Sequence, residues 1–499
     1  MPTSNKNGQH VAQHFDVIVI GGQLAGRIAA GFIARSGRRV LVIDQGESSP
    51  TYEDQGWLLP RHTLPAPNHE ASAAIKNIHR SINFSAPKIS THAESSSLQV
   101  AMNRKRFKLH IDASSRSQEL NRELPGTEKK SKALWQTLTE RDIEMDKYLA
   151  ASPNLTPWGF FEGWLVRRQW QLQDASSDSE LSLEGLDILE QVIEHPTLFF
   201  SYLQNPGGLG RNRLQGLYLT QAQCPSSLEN PFDSRLDSHL ESLGIEFRRG
   251  KKIESIEVER RRLDRLILQG DKHSYSADYF LANTAMQLDS ALPEPHASKG
   301  YLKKPDAIKL SGGIVTMNLV VRSQAVPEGL GQQLLLADAP TTLYIAQSPA
   351  WRAGVPQSER HDPDHTVLSI SQRIGDEALH NSDNPKALAQ AMVERLSAIA
   401  PFIEEHIVLS SFSPATDHLS QSEKRNTRTL LIRPGYETQG NAPLGIVGRN
   451  LRTRFKNMLH VGRDVLPGLG VEGEYLTGQA AALQLQKLAK RKWQKQLKN

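Results

Sequence analysis

Near one end of the chain, Gly21, Gly22, Gln23, Leu24, Ala25 and Gly26 make a glycine-rich turn, and Asp44 followed by Gln45 comes shortly afterwards. This pairing is suited to holding a dinucleotide. Backbone N–H groups at the start of a helix face a pyrophosphate, and the helix dipole adds to the attraction. A carboxylate about 20 residues on accepts hydrogen bonds from the adenosine ribose and repels a 2′-phosphate, which argues against NADP. Near the other end, Gly462, Arg463 and Asp464 lead into Pro467-Gly468-Leu469-Gly470 and Val471. Small residues there let backbone approach a flat ligand closely, again at the start of a helix.

The elements around the first turn have the required order. Residues 15–20 are rich in Val and Ile, as in a strand buried on both faces. Residues 25–36 place Ala29, Ala30 and Ala34 on a close-packing helical side, and Gly37 suits the end of that helix. Residues 39–43 make a second β-branched strand that ends in Asp44. This is a βαβ unit of about 30 residues, the context in which the glycine fingerprint has meaning. Gln23 occupies a position that the fingerprint gives to glycine, so its side chain must lie where backbone and phosphate come close. Further on, residues 244–256 read as strand, turn, strand, and 262–268 with 275–282 alternate like a hairpin that closes at Asn283.

With these segments in this order, the chain resembles the phytoene desaturase-like branch of the FAD-dependent oxidoreductases, relatives of the amine oxidases. The residues that carry the likeness are the first turn, Ile253 on the middle strand, Val461-Gly462, Pro467-Gly468-Leu469-Gly470 and Thr477-Gly478-Gln479-Ala480-Ala481. The resemblance implies FAD as cofactor and a backbone contact from Ile253 to the adenine. It places Asp464 or Arg463 over the ribityl chain or pyrophosphate, and the helix start near Gly470 at the flavin N1–C2=O edge, where charge collects on reduction. It also implies hydride transfer to flavin N5 from a hydrophobic, isoprenoid or lipid-like substrate.

Two departures stand out. Gln45-Gly46-Glu47-Ser48-Ser49-Pro50 follows Asp44 where relatives carry a Gly-Gly-Arg stretch, and Glu472 stands where they often have proline. A carboxylate at that edge disfavours the reduced flavin anion unless it turns away. Rival readings are a flavin monooxygenase, a redox-neutral isomerase, and an inactive flavoprotein relative that serves as a binding partner.

The expected fold is α/β, a Rossmann-like FAD-binding domain assembled from residues 12–75, 222–292 and 440–499, with an α+β substrate domain from 76–221 and 293–439. At 499 residues the chain exceeds one hydrophobic core. Helices are expected over 131–148, 181–191 and 384–399. A strand pair is expected over 98–108, further strands over 313–321 and 366–370, and loops over 90–97 and 174–180. No catalytic residue is assigned. His62, Tyr202, Arg211 and Tyr344 are the middle-domain candidates, and the aromatic run from Trp158 to Trp164 lines a substrate tunnel or packs a core.

His361 and His365 have Pro363 between them and lack a third ligand, so no metal is expected. No second glycine fingerprint for NAD(P) follows, which leaves oxygen, a quinone or another carrier as electron acceptor. Nucleic acid is not an expected partner, since the net charge of +5 comes without a recognisable motif. The single cysteine, Cys224, and a polar N-terminus suit a cytoplasmic protein. Lys487, Lys490, Arg491, Lys492, Lys495 and Lys498 flank Leu485, Ala489, Trp493 and Leu497. That stripe suits either an anionic membrane surface or packing on the body.

Overall fold

The computed structural model describes residues 11–45, 50–64, 66–67, 71–87, 98–102, 105–110, 112–151, 155–156, 168, 191, 193–194, 199–207, 210–211, 213–216, 222–223, 231–283, 291–299, 301–302, 308–337, 341–375, 385–413, 432–438 and 446–496. The aromatic run 158–164, Cys224, Leu497, Lys498, the loops over 90–97 and 174–180 and most of the helix expected over 181–191 lie outside the described residues.

In chain order the elements begin β1 (Val11–Ile20), α1 (Leu24–Ala34), β2 (Val40–Asp44), β3 (Thr51–Asp54), β4 (Trp57–Pro60) and α2 (Ala73–Ser81). They continue with β5 (Leu98–Met102), β6 (Lys105–Leu109), α3 (Ala113–Glu123), α4 (Glu128–Ala150) and α5 (Pro231–Ser242). Next come β7 (Glu246–Arg249), β8 (Ile253–Glu259), β9 (Arg262–Leu268), β10 (His273–Ala282), β11 (Ile308–Arg322) and β12 (Gln333–Leu336). The last are β13 (Leu343–Arg352), β14 (His361–Ile374), α6 (Pro385–Ser397), β15 (Ile407–Phe412), β16 (Ile432–Thr438), β17 (Met458–His460) and α7 (Gly470–Gln496).

The first sheet runs β8-β9-β10-β1-β2-β7, with β17 also on β10. Strands β17, β10, β1, β2 and β7 are parallel to their neighbours, while β8, β9 and β10 pair antiparallel. The two-faced burial expected of β1 has a direct cause. Val17 and Val19, with Val40 and Val42, point into a core built with Ile28 and Ile33 of α1 and Tyr475 and Leu485 of α7. Phe15, Ile18 and Ile20 point the other way, against Ile256, Leu266 and Tyr275. Each such side chain withdrawn from water contributes about 1.5–3 kcal/mol before entropy is subtracted.

The second sheet runs β15-β11-β14-β13-β12-β5-β6, with β16 pairing β11 and the β3–β4 hairpin reaching β13. Residues 51–60, which the sequence groups with the first domain, thus extend this second sheet through Trp57↔Arg352 and Leu58↔Trp351. The hairpin covers part of an edge that would otherwise leave backbone groups unpaired. One face of β11 is apolar, with Val315, Met317 and Leu319 against Met392 and Leu396 of α6. The opposite face carries buried polar groups that bond to one another and to the 50–64 segment. Thr316 Oγ1 is 2.9 Å from Ser371 Oγ, Ser369 donates to Asn318 Oδ1 at 2.7 Å, and Asn318 donates to the Pro60 carbonyl at 2.8 Å.

At the C-terminal helix the stripe packs on the body. Leu485 and Ala489 are fully buried, and Trp493 lies under the Arg38 guanidinium at 4.6 Å. Gly478 permits this contact, because a Cβ there would stand 2.5 Å from the Ala25 carbonyl oxygen of α1. No helix among the described residues is long and apolar enough to cross a membrane.

Candidate cofactor site

The glycine turn joins the C-terminal end of β1 to α1. Gly21 takes φ +102°, a conformation glycine adopts without a Cβ penalty, and its N–H donates to the Ile43 carbonyl at 2.8 Å. Gly22 is pressed against Asp44, so that a Cβ would stand 2.7 Å from the Asp44 Cγ. Gln23 caps α1 with an extended backbone, its own side chain makes no capping hydrogen bond, and the first turn holds no acidic residue. Leu24 is half-buried and Ala25 buried behind it. Backbone N–H groups at a helix start of this kind are suited to an anion.

The far segment meets this turn. Arg463 points Nη2 at Gln23 Oε1, 3.5 Å away, so the amide at the non-glycine position faces a guanidinium. Asn283, at the end of β10, donates to the Gln23 carbonyl at 2.8 Å, and its Oδ1 is buried with no partner among the described residues. The same side chain fills the space beside Gly26 and lies 3.5 Å from where a Gly462 Cβ would be. At the other side of the turn, the Ile253 N–H donates to Gln45 Oε1 at 3.2 Å. Sequence reasoning did not give Asn283 a role; its place directly after a strand end beside the turn was the available signal.

Of the two residues expected over the cofactor, Arg463 is the one at the turn. The Asp464 carboxylate is enclosed, with Oδ1 2.8 Å from His460 Nε2 and Oδ2 accepting from Arg449 at 3.1 Å. Burial opposes its ionisation, yet His460 and Arg449 prevail and hold it below the ordinary carboxylate range.

Gly470 begins α7 at φ +55°, with Val471 half-buried behind it. Glu472 turns away from the helix start. It is fully buried, and Arg213 grips it with Nε at 2.8 Å and Nη2 at 2.7 Å. Arg213 also binds Asp142 at 2.6 Å and Asp146 at 2.8 Å, while Ser72 donates to Glu472 at 2.5 Å.

The four middle-domain candidates separate. Tyr202 and His62 share surroundings, since Arg433 and Arg463 act electrostatically on both. Tyr202 donates its hydroxyl to Glu474 and accepts from Arg433 at 2.6 Å. Burial, reinforced by Glu474 against the two arginines, pushes its hydroxyl up to about 12, so it stays a neutral donor. His62 is lowered to about 3 by burial and then by Arg433, Arg463 and Arg61, and so stays uncharged. Tyr344 is buried and donates to Gln333 at 2.9 Å, while Arg211 is exposed and pairs with Glu194. Among the described residues no group of His, Cys, Asp and Glu is placed to hold a metal.

No family model matches the sequence, and no curated protein matches it. Solved structures do share the fold. An oxidoreductase from Methanosarcina mazei is 13% identical at a TM-score of 0.56, over 94% of this chain and 99% of that one. Putrescine oxidase with putrescine bound is 13% identical at 0.52, over 95% and 99%. The RAB GDI of Plasmodium falciparum is 10% identical at 0.50, over 96% and 98%. The chain therefore has the two-sheet α/β architecture of these proteins. Their differing names leave the chemistry to be argued from the site.

Proposed function

We propose that the chain is an FAD-dependent oxidoreductase of the phytoene desaturase-like type, acting on a hydrophobic, isoprenoid or lipid-like substrate. The carrying observation is the α1 start, where Gln23 makes no side-chain cap and the first turn holds no acidic residue, with Asp44 packed against Gly22. Bound FAD supplies the two-electron oxidant, accepting hydride at N5.

The chain's own residues bind and orient. Asp44 would accept hydrogen bonds from the ribose hydroxyls, and the first N–H groups of α1 with Arg463 would take the pyrophosphate charge. The Arg213–Glu472 pair removes an acidic side chain from the α7 start, so the positive end of that helix is not opposed. Tyr202, held between Arg433 and Glu474, supplies a fixed neutral phenol. Oxygen, a quinone or another carrier completes the cycle as electron acceptor.

The test is anaerobic mixing of the FAD-loaded protein with a panel of isoprenoid and fatty substrates. Bleaching of the flavin's visible band by an apolar substrate, reversed by an added quinone or by oxygen, supports the reading. NADPH consumption without substrate would instead favour a monooxygenase.

A further inference from the structure

Among the described residues, Arg433, Arg463 and Arg373 gather around Tyr202 with Glu474. Arg433 on β16 and Arg373 on β14 are both cross-strand partners of Ile314 on β11, which places them on one face of the sheet. The Arg433 guanidinium lies 4.6 Å from the Tyr202 ring centroid, and that of Arg463 lies 5.3 Å from it. Arg373 donates to the Ser201 carbonyl at 3.3 Å, next in sequence to Tyr202. Among the described residues no carboxylate pairs with Arg433 or Arg463 within 4.0 Å. Glu474 takes the Tyr202 hydroxyl, and Asp464 is held by His460 and Arg449. Both carboxylates also favour the charge on Arg463, which sets Arg433 and Arg373 apart as a pair. The Nδ1 of His62 and the Nε of Arg463 are buried atoms without a hydrogen-bond partner among the described residues. The side chains of His62, Arg373, Arg433 and Arg463 are half-buried.

We infer that Arg433 and Arg373, with His62 beside them, receive the oxyanion head of the substrate, a carboxylate or phosphate on an otherwise apolar molecule. Like charges gathered in a half-buried place are costly unless an anion joins them, and a guanidinium fork matches an oxyanion's geometry. Burial and then the neighbouring Arg433 lower the Arg373 guanidinium to about 10. Arg463 stands between this group and the glycine turn, facing Gln23 on one side and Tyr202 on the other. This assignment rests on the flavoprotein reading only in taking the anion to be the substrate's.

The experiment is isothermal titration of the full chain, with and without FAD, using octanoate, octyl phosphate and octanol as probes. FAD affinity is measured separately by its spectrum. The expected result is that at least one anion binds about tenfold more tightly than octanol. R433Q should lower that anion's affinity about tenfold while FAD affinity stays within about twofold, and R433K should restore part of the loss. The better anion identifies carboxylate or phosphate. Equal binding of octanol and both anions, or no anion binding by folded protein, overturns the inference, and this comparison decides even if R433Q does not fold. Loss of FAD affinity in R433Q with anion binding intact also overturns it, because the arginines then serve the cofactor. Anion binding by a chain that never takes up FAD leaves this site standing and sinks the flavin reading, whereas FAD uptake without anion binding sinks this inference alone.

Discussion

At the scale of single residues, the chemistry-bearing positions divide into those that local sequence announces and those that only the fold brings together. Gly22 and Asp44 belong to the first group, because strand, turn, helix and strand fix their distance. Gly22→Ala puts a Cβ 2.7 Å from the Asp44 Cγ, and it should weaken FAD binding by about tenfold or more as the carboxylate is displaced. Titration of the apo chain with FAD, followed by flavin fluorescence, checks this; unchanged affinity would remove Asp44 from the ribose. Arg213 belongs to the second group. Glu472 reads as an obstacle in the sequence, and its remedy lies 259 positions away, on a residue that no motif marks. Arg213→Met leaves Glu472 buried and uncompensated, and it should cost about 3–5 kcal/mol of stability by chemical denaturation. Arg213→Met combined with Glu472→Met should recover only part of that loss, since Asp142 and Asp146 still lose their cation.

At the scale of elements, hydrophobic periodicity was informative wherever burial is symmetrical. The runs Val17–Ile20 and Val40–Ile43 are apolar throughout because each feeds two cores, one under α1 and α7 and one under the β8–β9 hairpin. The β3–β4 hairpin was not assignable to its sheet, because its pairing with β13 depends on an edge that lies far along the chain. The basic C-terminal helix was ambiguous for a different reason. An apolar stripe is the same pattern whether it meets lipid or protein, and here Leu485, Ala489 and Trp493 meet protein. The α1–α7 contact itself depends on Gly478. Gly478→Val should push the helices apart, lower stability by about 1–3 kcal/mol and loosen the cofactor, as thermal melting with and without FAD would show. A variant as stable as the parent would mean that the two helices do not pack at this distance.

At the scale of the whole molecule, two histidines tie stability to pH. His62 is held at about 3 by burial and the surrounding arginines, and His79 at about 4 by burial. His79 packs edge-on to Phe84 and Tyr475 between α2 and α7. Both folded values lie below the ordinary 6.5, so below that pH the unfolded chain binds more protons and stability falls as the pH drops towards 4. Each proton contributes a slope of at most about 1.4 kcal/mol per pH unit. Denaturation midpoints from pH 7 to 4.5 should therefore decline, and His79→Gln should flatten the decline. A midpoint independent of pH would show both histidines to be solvated. That the two distant segments form a flavin site is tested most directly by the absorption spectrum of the purified chain. Flavin bands in the native protein, with FAD rather than FMN released on heating, are the predicted result. A colourless protein that takes up no added FAD would contradict the account and point to Gln23 as the residue that closes the turn.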